Sequence, residues 1–174
     1  MPEPLLGAAA IERYLREVAD ELTDRGPTHT VIVVGGALLA WHGLRDATRD
    51  VDSAARLDRE LAEAVARVAE RHDLAPKWLN DSAAAFVPAT FQPDACEVLL
   101  DSQTLRVLGA PFDQVFLMKL YASRAVDTDD LEALWPHCSF GSPEAAAEAF
   151  YDGYPLEHRD EFLADHIRNI VETR

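Results

Sequence analysis

The sequence predicts an α/β (α+β) fold in which helices flank a mixed β-sheet. A β-branched run from Val31 to Val34 follows the breaker Gly26-Pro27, a pattern typical of a short buried strand. Segments with helical spacing of apolar residues lie on both sides of this strand, and short apolar runs between prolines come later. The 174 residues, 48% of them apolar, are enough to bury the core of one such domain.

Helices are predicted before and after the β-branched strand. A long amphipathic helix is expected over residues 8–25, and a short helix over 37–43 follows the strand. Another helix is expected over 57–72, with Pro76 beyond its end. The apolar positions that carry the helical spacing are Ile11, Leu15, Val18 and Leu22 in the first helix and Leu61, Val65 and Val68 in the last.

The second half of the chain has a different pattern. Residues 86–107 alternate short apolar runs with prolines, which favours two or three antiparallel strands. Pro111 is placed to open an apolar helix, and residues 143–173 are expected to form two more helices. We therefore predict one domain over residues 1–140, including the N-terminal helix, and a C-terminal helical extension over 141–174 that packs on it.

Composition narrows the range of functions. A formal net charge of −15 disfavours a broad nucleic-acid surface, because phosphate backbones attract clustered Lys and Arg. No stretch approaches the roughly 20 apolar residues that span a bilayer, and the N-terminus lacks the pattern of a signal peptide. A soluble, cytoplasmic protein without a membrane partner is expected. Cys96 and Cys138 lack metal-type spacing and are expected to be buried free thiols.

The residues with the clearest chemical potential lie between Gly35 and Asp52. The pair Gly35-Gly36 follows the buried strand, and without Cβ atoms its backbone can approach a phosphate closely. A purely structural role of the glycines is the alternative. Asp50 and Asp52 flank one residue of a predicted strand, so both carboxylates lie on one face and can reach one hard cation such as Mg²⁺. Here the alternative is an exposed acidic strand end.

Taken in this order, Gly35-Gly36, Arg45 with Thr48, and Asp50-x-Asp52 resemble the nucleotidyltransferase superfamily. Residues 78–81 and 116–131 resemble small bacterial nucleotidyltransferase-like proteins, which are related to the AbiEii- or MenT-type toxins of toxin–antitoxin pairs. The resemblance extends over residues 31–134. It implies a nucleotidyltransferase-like mixed sheet and a magnesium-dependent enzyme that transfers a nucleoside monophosphate from an NTP to an acceptor hydroxyl and releases pyrophosphate.

The resemblance also implies roles for individual residues. Asp50 and Asp52 would hold Mg²⁺, and Glu97 would supply a third carboxylate, with Asp94 as its competitor. Lys119 stands in an otherwise apolar helix and therefore needs an anion, which a triphosphate could provide. Asp127 and Asp130 would be catalytic residues that hold this lysine or position the acceptor. The alternative is that the Lys119 ammonium extends to solvent and the two acids cap the next helix. Nucleotide contacts are assigned to Gly35, Gly36, Thr48, Arg49 and Lys119.

Several alternatives remain open at this point. A tRNA 3′ end is one implied acceptor, beside a protein hydroxyl or a small molecule, and an antitoxin is an implied partner. Val126 stands where relatives often carry arginine, and the residues after Asp52 are less apolar than in most central strands. The less apolar strand and the open choice of a third carboxylate favour a second hypothesis, a catalytically degenerate member that acts as a partner-binding or regulatory module. Trp78 and Asn80 either bind a base or belong to a packed turn.

Overall fold

The computed structural model describes residues 3–122 and 127–172. It has a five-stranded mixed sheet with α-helices, so the predicted fold class is confirmed. The chain divides into two compact units, Met1–Phe86 with Ala95–Ala110, and Val87–Asp94 with Pro111–Arg174. The predicted boundary after residue 140 lies inside the second unit, and that division into domains stays a prediction. Val126, noted above, is outside the described residues.

The first unit contains the whole sheet. Its order is β3-β2-β1-β5-β4, with β1 parallel to β5 and antiparallel to β2. Strand β3 runs parallel to β2, and β4 runs antiparallel to β5. The elements are α1 Ala8–Glu21, β1 His29–Val34, α2 Gly35–Trp41, β2 Val51–Ser53, α3 Arg59–His72, β3 Leu79–Asn80, a 3₁₀ turn Ser82–Phe86, β4 Glu97–Asp101 and β5 Leu105–Gly109.

Two predictions about these elements need correction. The first helix ends at Glu21 rather than near residue 25, because Leu22 already has an extended backbone. The antiparallel strands predicted over residues 86–107 are confirmed as two, β4 and β5, but residues 87–96 contain a 3₁₀ turn at Pro93–Ala95 and no strand. Prolines in this region cannot donate to a β-ladder, which explains why pairing begins only at Glu97.

One face of the sheet forms the core of the first unit. The side chains on this face are completely buried, and α2 packs directly against it, with Leu38 beside Gly109. Helix α1 packs against both α2 and α3, which completes a single layer of helices. The fully buried strand residues are Val31, Val33, Val51, Ser53, Leu105 and Val107.

Trp78 belongs to this core. Only 1% of its surface is exposed, and its indole Nε1 donates a hydrogen bond to the Val65 carbonyl at 3.2 Å. Its ring also lies edge-on to Tyr14. Because the ring is enclosed by protein, Trp78 is not available to stack on a nucleotide base. The structure therefore agrees with the prediction that Trp78 is a packed residue.

The arginines of α3 serve the contact between α1 and α3. Arg67 Nε lies 2.7 Å from Glu21 Oε2, and Arg71 Nη1 lies 3.1 Å from Glu17 Oε2. Arg59 pairs with Glu63 one turn away on the same helix. These guanidinium groups therefore act as ordinary ion-pair partners, Arg67 and Arg71 with α1 and Arg59 within α3.

Asp58 caps α3, and its ionisation contributes to acid stability. Its side chain accepts a hydrogen bond from the Leu61 N–H and contacts His29 Nδ1 at 2.5 Å. Partial burial opposes ionisation, but the Leu61 N–H and His29 outweigh it and hold the pKa of Asp58 below its ordinary value of 3.8. Because the folded-state pKa is the lower one, the carboxylate stabilises the fold fully above its unfolded pKa, and this contribution is lost as the pH falls through the folded pKa.

We therefore expect Asp58→Asn to lower the free energy of unfolding at pH 7, by an amount that shrinks as the pH falls below about 4. Urea unfolding of the wild type and the variant between pH 7 and pH 2.5 measures this difference. Glu63→Gln, an exposed change on the same helix, is the control. A difference that grows towards low pH contradicts the assignment.

The second unit is helical and has an aromatic core. Phe116 packs against Trp135 and Phe140, with ring centroids 5.5 and 5.6 Å apart, and Tyr121 stacks on Tyr154 at 4.3 Å. Burial raises the pKa of the Tyr154 hydroxyl well above its ordinary range. The two predicted C-terminal helices are confirmed. The α-helices are α4 Phe112–Ala122, α5 Thr128–Leu134, α6 Pro143–Gly153 and α7 Leu163–Val171, with a 3₁₀ turn at Trp135–His137.

The two cysteines are free thiols, as predicted, although both are half-buried rather than buried. Burial is the first cause that raises the pKa of Cys138, to about 12, and the Asp113 carboxylate acts in the same direction. Burial also raises the pKa of Cys96. Neither thiol is therefore primed for nucleophilic chemistry. In the part of the chain that the structure describes, no helix has the length and apolar character that crossing a membrane requires.

Candidate functional site

Three polar side chains converge on the glycine pair that begins α2. Gly35 has a φ of +62°, a left-handed conformation that residues with a Cβ rarely adopt. A Cβ built on Gly35 would lie 3.5 Å from Asp52 Oδ2. A Cβ on Gly36 would lie 2.9 Å from Thr48 Oγ1 and 3.0 Å from Arg45 Nη1. Because the two glycines lack side chains, a carboxylate, a hydroxyl and a guanidinium can approach this turn closely.

The two aspartates lie at the beginning of β2. Val51 and Ser53 are completely buried on the face that the helices cover, whereas Asp52 is only half-buried. Asp52 therefore points to the opposite face of the sheet, and Asp50, two residues earlier, is exposed just before the strand. The structure thus brings Asp52 to Gly35, and the expectation that Asp50 shares its face stays a prediction.

Thr48 and Arg45 are held in place by the loop between α2 and β2. Thr48 is 5% exposed, and its backbone exchanges hydrogen bonds of 2.7 and 2.9 Å with the backbone of Leu6. Arg45 Nε donates to the Ala47 carbonyl at 2.8 Å. Arg49 is exposed on the same loop, and its assigned contact with the nucleotide stays a prediction.

The donor set near Asp52 fits a magnesium ion that is shared with a substrate. Among residues 3–122 and 127–172, no group of three or more His, Cys, Asp or Glu side chains could enclose a metal. Mg²⁺ does not need such an enclosure, because it commonly takes one or two carboxylates and completes its octahedron with waters and substrate phosphates. Asp50 and Asp52 offer carboxylate oxygens of this kind, and Asp52 lies beside Gly35.

Glu97 is not brought to the two aspartates. In the sheet, Glu97 pairs with Gly109, Gly109 with Val33, and Val33 with Ser53, so these residues share one row and one face. That face is the one covered by helices, opposite to Asp52, and three strand spacings of about 4.8 Å separate Glu97 from β2. Glu97 Oε1 instead contacts His42 Nε2 at the end of α2. The geometry gives no support to Glu97 as a third metal ligand.

In the second unit, Lys119 lies in a buried cluster of charges. Its Nζ is 3.0 Å from Asp127 Oδ1 and 2.7 Å from Asp130 Oδ2, and all three side chains are about nine-tenths buried. The two carboxylates thus supply the anions that an ammonium in an apolar helix requires. Asp127 precedes α5 without capping it through its side chain. The predicted contact of Lys119 with a triphosphate, and catalytic roles for the two acids, stay predictions.

Asn80 and Arg45 were named from the sequence, but their positions beside the site were not predicted. Asn80 pairs with Asp52 across β2 and β3, so both side chains lie on the same face. Its Oδ1 accepts a hydrogen bond from the Ser82 N–H at 3.0 Å, which ties the amide into the following turn. Arg45 was noted in the loop but not assigned a contact, and here its guanidinium reaches Gly36.

A mixed sheet, a glycine turn and a paired-acid strand in this arrangement are the features of a nucleotidyltransferase fold. The comparison with protein families agrees, because the model for DUF6036, described as nucleotidyltransferases of unknown function, matches residues 13–144. That match covers most of the chain, and the protein belongs to this family. No curated protein and no solved structure gives a significant match.

Proposed function

We propose that this protein is a magnesium-dependent nucleotidyltransferase that uses an NTP to modify an acceptor hydroxyl. The observation that carries the proposal is the glycine turn itself: the Asp52 carboxylate lies beside Gly35, and the Arg45 guanidinium and Thr48 hydroxyl lie beside Gly36. A carboxylate and a guanidinium beside two neighbouring glycines suit the binding of a magnesium-bound polyphosphate. Membership of a nucleotidyltransferase family supports the same reaction class.

Asp50 and Asp52 would hold the magnesium ion, which when bound neutralises charge on the phosphates. Gly35 and Gly36 let the triphosphate approach the backbone closely. The acceptor oxygen attacks the α-phosphorus, the bond from that phosphorus to the bridging oxygen breaks, and the electron pair leaves with pyrophosphate. The hydroxyl proton passes to water. The contribution of the protein is then orientation and electrostatic stabilisation.

A tRNA 3′ end is the acceptor that we favour, because the resemblance to AbiEii- and MenT-type toxins implies it. A single strand end requires only a local contact, which is compatible with the net charge of −15. A protein hydroxyl and a small molecule are the other acceptor classes. The same resemblance supports a cognate antitoxin protein as a partner.

The second candidate function is a catalytically degenerate protein of the same fold that binds a partner. The position of Glu97 favours it, since this acid faces the helix layer and contacts His42 rather than Asp52. If the protein is an enzyme of this class, its metal site has only the Asp50 and Asp52 carboxylates in the first unit, or it takes further ligands from elsewhere.

The reaction is tested by incubating the purified chain with each α-³²P-labelled NTP, Mg²⁺ and total tRNA. We expect label in the tRNA, at the 3′ end after nuclease mapping, together with equimolar pyrophosphate. Label in protein, or pyrophosphate release without labelled tRNA, would assign a different acceptor. No magnesium-dependent binding of any NTP by calorimetry would contradict the enzyme and favour the degenerate module.

A further inference from the structure

The loop between α2 and β2 holds a guanidinium group over the glycine turn. Arg45 Nε donates to the Ala47 carbonyl two residues away, so the side chain folds back along its own loop. A Cβ built on Gly36 would lie only 3.0 Å from the Arg45 Nη1 atom. The guanidinium therefore lies in close contact with the glycine turn, and the backbone of the loop helps to set its position.

Buried anchors fix the loop that carries this arginine. The backbone of Thr48 pairs with that of Leu6 in both directions, at 2.7 and 2.9 Å, and both residues are at most 5% exposed. The Thr48 hydroxyl shares the space over Gly36 with the guanidinium. Arg45 itself remains exposed to solvent, so a ligand can reach it. A loop that is fixed at its base and carries an exposed arginine is suited to binding a ligand.

The arrangement on the two glycines is asymmetric. The Asp52 carboxylate borders Gly35, and the Arg45 guanidinium borders Gly36. The two glycines are consecutive, so their Cα atoms are about 3.8 Å apart. A cation on the carboxylate side and the arginine on the other side would present two positive centres to neighbouring phosphoryl groups. The planar fork of guanidinium N–H donors matches phosphate oxygens better than an ammonium does.

We propose that Arg45 binds the β- and γ-phosphates of the NTP and thereby stabilises the pyrophosphate leaving group. This inference rests on the proposed function and assigns a residue within that site. When the bond to the α-phosphorus breaks, negative charge grows on the oxygen that leaves with the β-phosphate, and a guanidinium at this point offsets it. Thr48 is the positioning residue, because it fixes the loop and borders the same space.

The test is calorimetric titration of each NTP with Mg²⁺ into the wild type, Arg45→Gln, Arg45→Lys and a control, Arg59→Gln. Arg59 is a suitable control because it lies on α3 and pairs with Glu63 at the surface. We expect Arg45→Gln to weaken NTP binding at least about tenfold, the usual effect of a lost charge-assisted contact, and Arg45→Lys to recover part of the loss. Inorganic pyrophosphate should displace the NTP from the wild type but much less effectively from Arg45→Gln.

The outcomes separate this inference from the function on which it rests. If Arg45→Gln binds NTP with wild-type affinity, or if pyrophosphate fails to compete, the proposed role of Arg45 is wrong. Magnesium-dependent NTP binding by the wild type would still support the proposed enzyme in that case. No magnesium-dependent NTP binding by the wild type overturns the proposed function and the inference with it. Thermal unfolding of all variants by circular dichroism checks that the exposed substitution leaves the fold intact.

Discussion

Replacing both Asp50 and Asp52 with asparagine is expected to abolish magnesium-dependent NTP binding and to reduce nucleotidyl transfer at least about a hundredfold. Asparagine keeps the shape of each side chain but removes the charges that hold a hard cation. Calorimetry with and without Mg²⁺ measures binding, and release of pyrophosphate from an NTP measures the reaction.

Asp46→Asn is the matched control for this double variant. Asp46 is an exposed aspartate of the same loop, and it approaches Gly7 only through its backbone oxygen. It changes the local charge without touching the proposed metal site, so binding and transfer should stay near the wild-type level. If the double variant binds NTP as the wild type does, with or without Mg²⁺, the paired-acid site is wrong and the degenerate module becomes the better account.

Much of the fold could be predicted because local patterns encode it. The β-branched run at 31–34 became β1, and the helical period at 57–72 became α3 with Asp58 as its cap. The apolar spacing of α3 marks its buried side, whereas the continuous apolar run of β1 corresponds to burial of all four residues. Element ends were less predictable, since they depend on single contacts such as the one between Glu60 and the Thr23 N–H.

The position of Glu97 shows where sequence patterns stop being informative. Alternation along a strand distinguishes two faces but does not tell which face belongs to the site. The pairing between β4 and β5 also shifts between Val98 and Leu100, so alternation counted from one end of the strand fails at the other. The register that sends Glu97 to the helix layer is set by Gly109 and Val33, which are far away in sequence.

Contacts across the site had the same limitation. Arg45 reaches Gly36 because a loop folds back and is fixed to Leu6, and no spacing rule encodes that return. Asn80 meets Asp52 through a parallel strand of only two residues, too short to leave a pattern. The Gly-Gly turn and the aspartate pair were recognisable because the residues of each lie close together in sequence. Their neighbours in space depend on strand register and on the path of the loop.

Lys119→Met is expected to destabilise the second unit by about 3–5 kcal/mol. The substitution keeps the length and apolar stem of the side chain but leaves the buried carboxylates of Asp127 and Asp130 without the ammonium that lies 3.0 and 2.7 Å from them. Uncompensated charge in a buried position is far more costly than the loss of an exposed ion pair. Urea unfolding followed by circular dichroism measures the change in free energy.

The chain supplies a matched control, because its other lysine, Lys77, is exposed. Lys77→Met should change the free energy of unfolding by less than about 0.5 kcal/mol. A triple variant with Lys119→Met, Asp127→Asn and Asp130→Asn removes all the charges together and should recover much of the stability lost by Lys119→Met alone. If Lys119→Met unfolds within 1 kcal/mol of the wild type (roughly the effect of an ordinary surface change), the cluster is not the buried charge balance that its geometry indicates.

The triple variant also separates structure from chemistry in this cluster. Loss of nucleotidyl transfer in Lys119→Met alone would follow from unfolding as readily as from a missing catalytic group. A triple variant that is stable, binds NTP through Asp50 and Asp52, and still fails to transfer would assign the cluster to the reaction. A triple variant that is both stable and active would restrict Lys119, Asp127 and Asp130 to holding α4 and α5 together, since Lys119 lies on α4 and Asp130 on α5.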